Sequence, residues 1–341
     1  MAEKLHVVML PWIAFGHMIP FFQLSVALAK AGIKVSFVST PKNIKRLPEV
    51  PPGLEDLVEF VQFPLPSLEN DVLPEDGEAT VDIPAEKMQY LKIAYDLLKH
   101  PLKQFIADQL PDWIIIDMMP YWMVDIAREN KVPLIHFSVF SAVAYVFLGH
   151  PECLVGDGQK RLRPSWKSMT SKPVDLWRKC FGITDGERVF EIPNGCRGFC
   201  DARDVPKFEG DYLNLFERLI GKPVIPVGLL PREKPERKQL TDGRWVEIFK
   251  WLDNQKPKSV VFPLNARYVV EKGLGVEIER GEDGSFTRDG VDKALKLAMV
   301  SVEGKSLREK ASEAGVIFGN LKLHQDYYIG KFVDFLKKRN V

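Results

Sequence analysis

The sequence is poor in cysteine and has no excess of either charge. Four cysteines in 341 residues, Cys153, Cys180, Cys196 and Cys200, cannot staple a chain of this length. That excludes a disulfide framework and points to a reducing compartment, the cytoplasm. The 47 Lys and Arg against 46 Asp and Glu leave a net charge of +1, without the basic excess of a dedicated nucleic-acid binder. The N-terminus has no basic stretch followed by a long apolar core, so no signal peptide is expected. Long apolar runs are missing too. The most membrane-like window, Val132 to Gly149, contains Pro133, His136, Ser138 and Ser141, and reads as a buried strand plus the start of a helix. No metal site is expected: Cys196 and Cys200 lie four apart, with no nearby His or Cys pair to complete a ligand set.

What is present is an ordinary globular composition, 45% hydrophobic and 27% charged, in a chain long enough for about two domains. Strand-like and helix-like segments alternate through the first half. Strands are expected at Leu5–Leu10, Lys34–Val38, Val58–Phe63, Trp113–Ile116 and Leu134–Ser138. Helices are expected at Phe21–Ala31, at Glu86–Leu110 with a kink from Pro101, and at Tyr121–Glu129. Glu69 to Ala85 reads as an exposed acidic loop. Strands alternating with helices predict an α/β protein with a parallel sheet.

Further strands are expected at Arg188–Ile192, Lys222–Val227, Ser259–Phe262 and Val276–Glu279. Helices are expected at Trp245–Asn254, Leu264–Lys272, Asp289–Val302, Lys305–Phe318 and Asp326–Arg339. Gly273-Leu274-Gly275 reads as a helix-ending turn, and Thr287 or Asp289 as the cap of the next helix. The division expected is 1–228, a linker at 229–244 rich in Pro, Lys and Arg, and 245–341.

Two polar residues stand directly after apolar strands. His17 lies in the turn Pro11-Trp12-Ile13-Ala14-Phe15-Gly16-His17-Met18-Ile19-Pro20, and Asp117 follows Trp113–Ile116. Parallel strand ends converge on one edge of a sheet, where α/β proteins bind ligands. A histidine there can take a substrate proton near neutral pH. From the residues alone, a backbone-bonded loop histidine and a helix-capping aspartate remain open.

The turn from His6 to Pro20 resembles that of plant UDP-dependent glycosyltransferases of small molecules. So do Pro111-Asp112-Trp113-Ile114-Ile115-Ile116-Asp117, His136-Phe137-Ser138-Val139-Phe140-Ser141-Ala142 and Pro226-Val227-Gly228-Leu229-Leu230. The wording of the first motif is most similar to the branch that extends sugars on flavonoid, terpenoid or saponin glycosides. The resemblance implies two Rossmann-like domains facing a cleft, the GT-B arrangement. The N-terminal domain would hold a small-molecule acceptor and the C-terminal one a UDP-sugar co-substrate, with no cofactor. It implies that His17 is the general base, that Asp117 orients it, and that the sugar is transferred with inversion. Phe15, Gly16, Tyr90, Ser138, Phe140 and Ser141 are candidates for acceptor contact, with Trp122 and Tyr145 as further pocket aromatics.

The C-terminal half departs from the family. The donor signature, from a Trp-Ala-Pro-Gln through a His-Cys-Gly-Trp-Asn-Ser-like stretch to Asp/Glu-Gln, is absent, and no donor-binding residue can be assigned. The strand Lys258-Ser259-Val260-Val261-Phe262 runs directly into Pro263-Leu264-Asn265-Ala266, which in the family lies beyond that signature. Only 99 residues run from Gly243 to Val341. At about 30 residues per βαβ unit they cannot build a full nucleotide-binding sheet. The expectation is an internally deleted C-terminal domain and impaired turnover, or else a non-catalytic acceptor binder or an unstable product. The folded chain is expected to be monomeric, with exposed apolar surface around Val269, Val270, Leu274, Leu295, Leu297 and Met299 favouring aggregation.

Overall fold

The computed structural model describes residues 5–140, 142, 196–201, 213–218, 220–230, 270, 272–278 and 285–338. The chain divides into two compact units, Met1–Leu230 with His324–Val341, and Pro231–Leu323.

The first unit is built on seven strands: β1 (His6–Leu10), β2 (Lys34–Ser39), β3 (Val58–Gln62), β4 (Trp113–Ile116), β5 (Leu134–Ser138), β6 (Cys196–Asp201) and β7 (Val224–Pro226). All pair in parallel, in the order β3-β2-β1-β4-β5-β6-β7. Val7 to Leu10 of β1 and all of β4 and β5 are buried, as expected of a sheet covered on both faces. One face carries Val7, Met9, Val35, Phe37, Ile115 and Phe137, and the other Val8, Leu10, Ile114, Ile116 and Leu134.

The helices are α1 (Phe15–Lys30), α2 (Pro41–Arg46), α3 (Met88–Leu97), α4 (Lys99–Gln109) and α5 (Met123–Glu129). α1 begins six residues before its expected start and contains Pro20. Proline costs the bond to the carbonyl four residues back. Here that carbonyl belongs to Gly16, an exposed residue that water can serve. Pro101 divides the next helical stretch as its chemistry requires. The carbonyl it cannot bond is that of Leu97, where α3 ends. The 69–85 stretch is exposed at Glu69, Asn70, Glu75, Asp76 and Pro84, as expected, but it is not exposed throughout. It forms short 3₁₀ turns at Glu69–Asp71 and Thr80–Asp82, buries Ala79 and Ile83, and bonds Thr80 N–H to the Ile13 carbonyl at 3.1 Å.

β6 falls on the Cys196–Cys200 segment, where sequence reading placed no strand. The strands expected at 188–192 and 259–262 lie outside the described residues, as does the helix expected at 245–254. Residues 276–278 are not in a strand: they have no ladder partner among the described residues.

The last helix is another difference. A π-helical turn, Leu323–Ile329, leads into the terminal helix Gly330–Lys337. This segment, grouped by the sequence reading with 245–341, belongs to the first unit. Ile329, Phe332, Val333 and Leu336 are buried in the core that contains β1 and α1. The Trp113 indole donates to the Leu336 carbonyl at 2.9 Å, and Gln325 to the Ala27 carbonyl at 3.1 Å. Gly228, with φ +70°, turns the chain beneath this segment. A Cβ there would lie 2.8 Å from His324 Nδ1 and from Tyr328 Cδ2.

In the second unit, a helix at Arg288–Met299 is capped by Thr287, whose Oγ1 accepts from Gly290 N–H at 3.0 Å. Arg308, in the helix Lys305–Phe318, donates to the Ser301 carbonyl at 2.8 Å. Gly273, with φ +68°, ends a helical turn by donating to the Val270 carbonyl at 2.9 Å. Among the described residues no helix is long and apolar enough to cross a membrane.

Candidate active site

β1 is flanked by β2 on one side and β4 on the other, so the strand order reverses between β1 and β4. In open parallel sheets that reversal opens a crevice beyond the strand ends. The register places Leu10 opposite Ile116, the last residues of β1 and β4. The two chains therefore leave the sheet side by side, one into the turn that carries His17 and the other into Asp117.

His17 Nδ1 lies 2.7 Å from Asp117 Oδ2. The same oxygen accepts Trp12 N–H at 3.1 Å, and Oδ1 accepts Met118 N–H at 2.7 Å. The carboxylate is 2% exposed and the imidazole 13%. Burial pushes the Asp117 carboxyl up, but the charge and hydrogen bond of His17 and the Met118 amide outweigh it and hold the group below its ordinary value. With Nδ1 committed to Asp117, Nε2 is the nitrogen left to accept a proton.

Sequence reading missed a second histidine at this point. His136 is paired with Ile116 across the β4–β5 ladder and is buried. Burial lowers its pKa to about 4, with Asp117 opposing that shift and His17 adding to it. At neutral pH it is uncharged. Its position in the strand register was the available signal, since it stands one place from Asp117 on the neighbouring strand.

Phe140 meets the His17 ring edge-to-face, with centroids 5.7 Å apart. It is held there by Ser138, whose hydroxyl accepts Phe140 N–H at 2.9 Å and donates to the Phe140 carbonyl at 3.0 Å. Phe15 is half-buried and Gly16 exposed in the first turn of α1, and Tyr90 is half-buried on α3. Trp122 is buried in the core, its indole bonded to Asp96 at 2.9 Å. Ser141 and Tyr145 lie outside the described residues. No cluster of His, Cys, Asp and Glu suited to a metal occurs among the described residues.

No family model matches the chain. UDP-glycosyltransferase 91B1 of Arabidopsis thaliana is 34% identical over 465 residues, covering 98% of this chain and 97% of that protein. The chain belongs to the plant UDP-glycosyltransferases. The soyasaponin III rhamnosyltransferase of Glycine max is 29% identical over 461 residues, covering 99% of this chain and 97% of that enzyme. The crystal structure of Glycyrrhiza uralensis UGT73P12, complexed with glycyrrhetinic acid 3-O-monoglucuronide, superposes with a TM-score of 0.65 at 16% identity, covering 99% of this chain and 96% of that one. The fold is accordingly GT-B, and the family uses a UDP-sugar as co-substrate. The two sequence alignments run over 465 and 461 positions while this chain has 341 residues. At least a quarter of the aligned positions have no counterpart here, although both relatives are covered almost end to end.

Proposed function

We propose that this chain is the acceptor-binding part of an inverting UDP-sugar glycosyltransferase whose turnover is impaired by loss of the donor segment. The observation that carries the first half is the 2.7 Å contact between His17 Nδ1 and Asp117 Oδ2 at the β1/β4 strand ends. In the reaction, His17 Nε2 takes the proton of an acceptor hydroxyl. The oxygen attacks the anomeric carbon from the face opposite UDP. The sugar–phosphate C–O bond breaks, UDP leaves with the electron pair, and the anomeric configuration inverts. Asp117 keeps the imidazole in the tautomer that presents Nε2 and stabilises the imidazolium that forms.

The second half rests on the sequence. The donor signature is absent, and Phe262 runs directly into Pro263. The extra alignment length of the relatives agrees with an internal loss somewhere in the chain. The acceptor class is a flavonoid, terpenoid or saponin glycoside, supported by the similarity to a soyasaponin III rhamnosyltransferase. In this reading Phe15, Gly16, Tyr90 and Phe140 face the acceptor, with Ser138 holding Phe140 in place. The low cysteine content supports a cytoplasmic site of action.

Calorimetric titration tests both halves. The expected result is binding of a flavonol monoglucoside or triterpenoid monoglucuronide, weakened in His17→Ala, with no heat from UDP. Micromolar UDP binding, about −8 kcal/mol, with His17-dependent sugar transfer would overturn the impairment and leave the base assignment standing. No acceptor binding by a cooperatively folded protein would overturn the acceptor reading.

A further inference from the structure

Among the described residues, a dense polar network outside the His17–Asp117 pair joins α2 to the 76–82 segment. Arg46, in the last turn of α2, grips Asp82 with both terminal nitrogens. Nη1 lies 2.7 Å from Oδ1 and Nη2 3.1 Å from Oδ2, and Nη2 also donates to Asn43 Oδ1 at 2.7 Å. Its Nε is buried and finds no acceptor. Asp82 in turn accepts Ala79 N–H at 2.9 Å and lies 3.4 Å from Lys42 Nζ. Lys42 N–H donates to Glu78 Oε2 at 2.8 Å, and the Asn43 amide to the Glu78 carbonyl at 2.7 Å.

This network touches the candidate active site twice. The Arg46 guanidinium lies 4.7 Å from the centre of the Phe15 ring. Thr80 N–H donates to the Ile13 carbonyl at 3.1 Å. Both contacts fall on the turn that leads into His17. Nothing else about Arg46 suits it to ligand binding, because Asp82 and Asn43 occupy its terminal nitrogens. Isolated surface ion pairs contribute little. This pair is bidentate, its aspartate is 11% exposed, and one face of the guanidinium is covered by an aromatic ring. Those are the features that distinguish an arginine from a lysine.

We infer that Arg46 is a positioning residue for the acceptor side of the site: it ties the 76–82 segment to α2 and holds the Phe15 ring in the turn that carries His17. This rests on the reading of that turn as the acceptor wall, and it acts through Phe15, not on the acceptor itself. The clamp also explains why a stretch rich in turn formers and acidic residues is ordered against the sheet edge.

The test begins without ligand. Amide hydrogen exchange is measured on the full chain for wild type, Arg46→Lys and Asp82→Asn. The expected result is exchange about tenfold faster in peptides covering 12–18 and 76–82 together, with peptides of β4 and α5 unchanged as the check on folding. Faster exchange in 76–82 alone, or in neither, overturns the clamp. Failure of the wild type to bind acceptor would refute the functional reading and leave this measurement decisive for the clamp. With a flavonol monoglucoside as probe, Arg46→Lys is expected to weaken binding about tenfold in the wild-type background and not at all when Phe15→Leu is already present. Additive losses would mean that Arg46 does not work through Phe15.

Discussion

The buried His136 makes a prediction that needs no turnover. In the folded chain its pKa is lowered to about 4, from an ordinary value of 6.5, chiefly by burial. The unfolded chain therefore binds a proton at His136 between these values that the folded chain does not. Stability rises with pH through that window and is lost as pH falls below about 6.5. Between pH 7.5 and 5.0 the loss from this residue is about 2 kcal/mol, since each tenfold difference in proton affinity is worth about 1.4 kcal/mol. With a urea dependence of about 2 kcal/mol per molar, the midpoint should fall by about 1 M.

The assay is urea unfolding at the two pH values, followed by tryptophan fluorescence, for wild type and His136→Gln. The comparison that matters is the difference in pH dependence, because glutamine can change the baseline stability on its own. His6 is also lowered by burial and contributes with the same sign, but it is present in both proteins and cancels. Asp117 and Asp82 are lowered as well. Their stabilisation is present above the ordinary carboxylate value and is lost only as pH falls through their lowered values, below this window. Equal midpoint shifts in wild type and His136→Gln would refute the claim that His136 is buried uncharged beside Asp117.

Further outcomes follow from packing and hydrogen bonding. Phe332→Ala should cost about 3–5 kcal/mol in urea unfolding, because the side chain is fully buried in the core of the first unit. Val302→Ala, 83% exposed in the second unit, should stay within about 0.5 kcal/mol. Gly228→Ala should lower the thermal midpoint, through the left-handed backbone at φ +70° and the 2.8 Å approach to His324 and Tyr328, at a combined cost of about 2–4 kcal/mol. Asp117→Ala should destabilise by about 3–5 kcal/mol in urea unfolding, since it strips the acceptor from His17 Nδ1 and from the Trp12 and Met118 amides.

The strands next to the site were legible because they are short apolar runs bounded by turn residues, and β4 and β5 have the bounds read from sequence. Period alone could not reveal the early start of α1, since Pro20 argues against a helix and only the exposed Gly16 makes it tolerable. β6 escaped because Gly198 and Arg197 dilute its apolar pattern and one of its two pairing partners, β5, is distant in sequence. The amphipathic period of the terminal helix says that one face is buried but not against what. Its partner Trp113 is known only from the fold. The His17–Asp117 juxtaposition was legible from the two strand ends, and the register of Leu10 against Ile116 is its physical cause. The Arg46 clamp was not, because α2 and the 76–82 segment carry no pattern that couples them.

The course of the chain between its units bears on what an internal loss can do. The first unit is made from two pieces, Met1–Leu230 and His324–Val341, and both contribute to one core: Val227 from the first, Ile329, Phe332 and Leu336 from the second. A loss at the Phe262–Pro263 junction falls within the intervening Pro231–Leu323 unit and takes no residue from that core. The sheet, the His17–Asp117 pair and the terminal helix that closes over Trp113 all survive such a loss. On the reading proposed above, in which the first unit takes the acceptor and the second the donor, a deletion in this position would separate acceptor binding from sugar transfer. Loss of cooperative unfolding in the first unit itself would show that the terminal helix alone does not close its core.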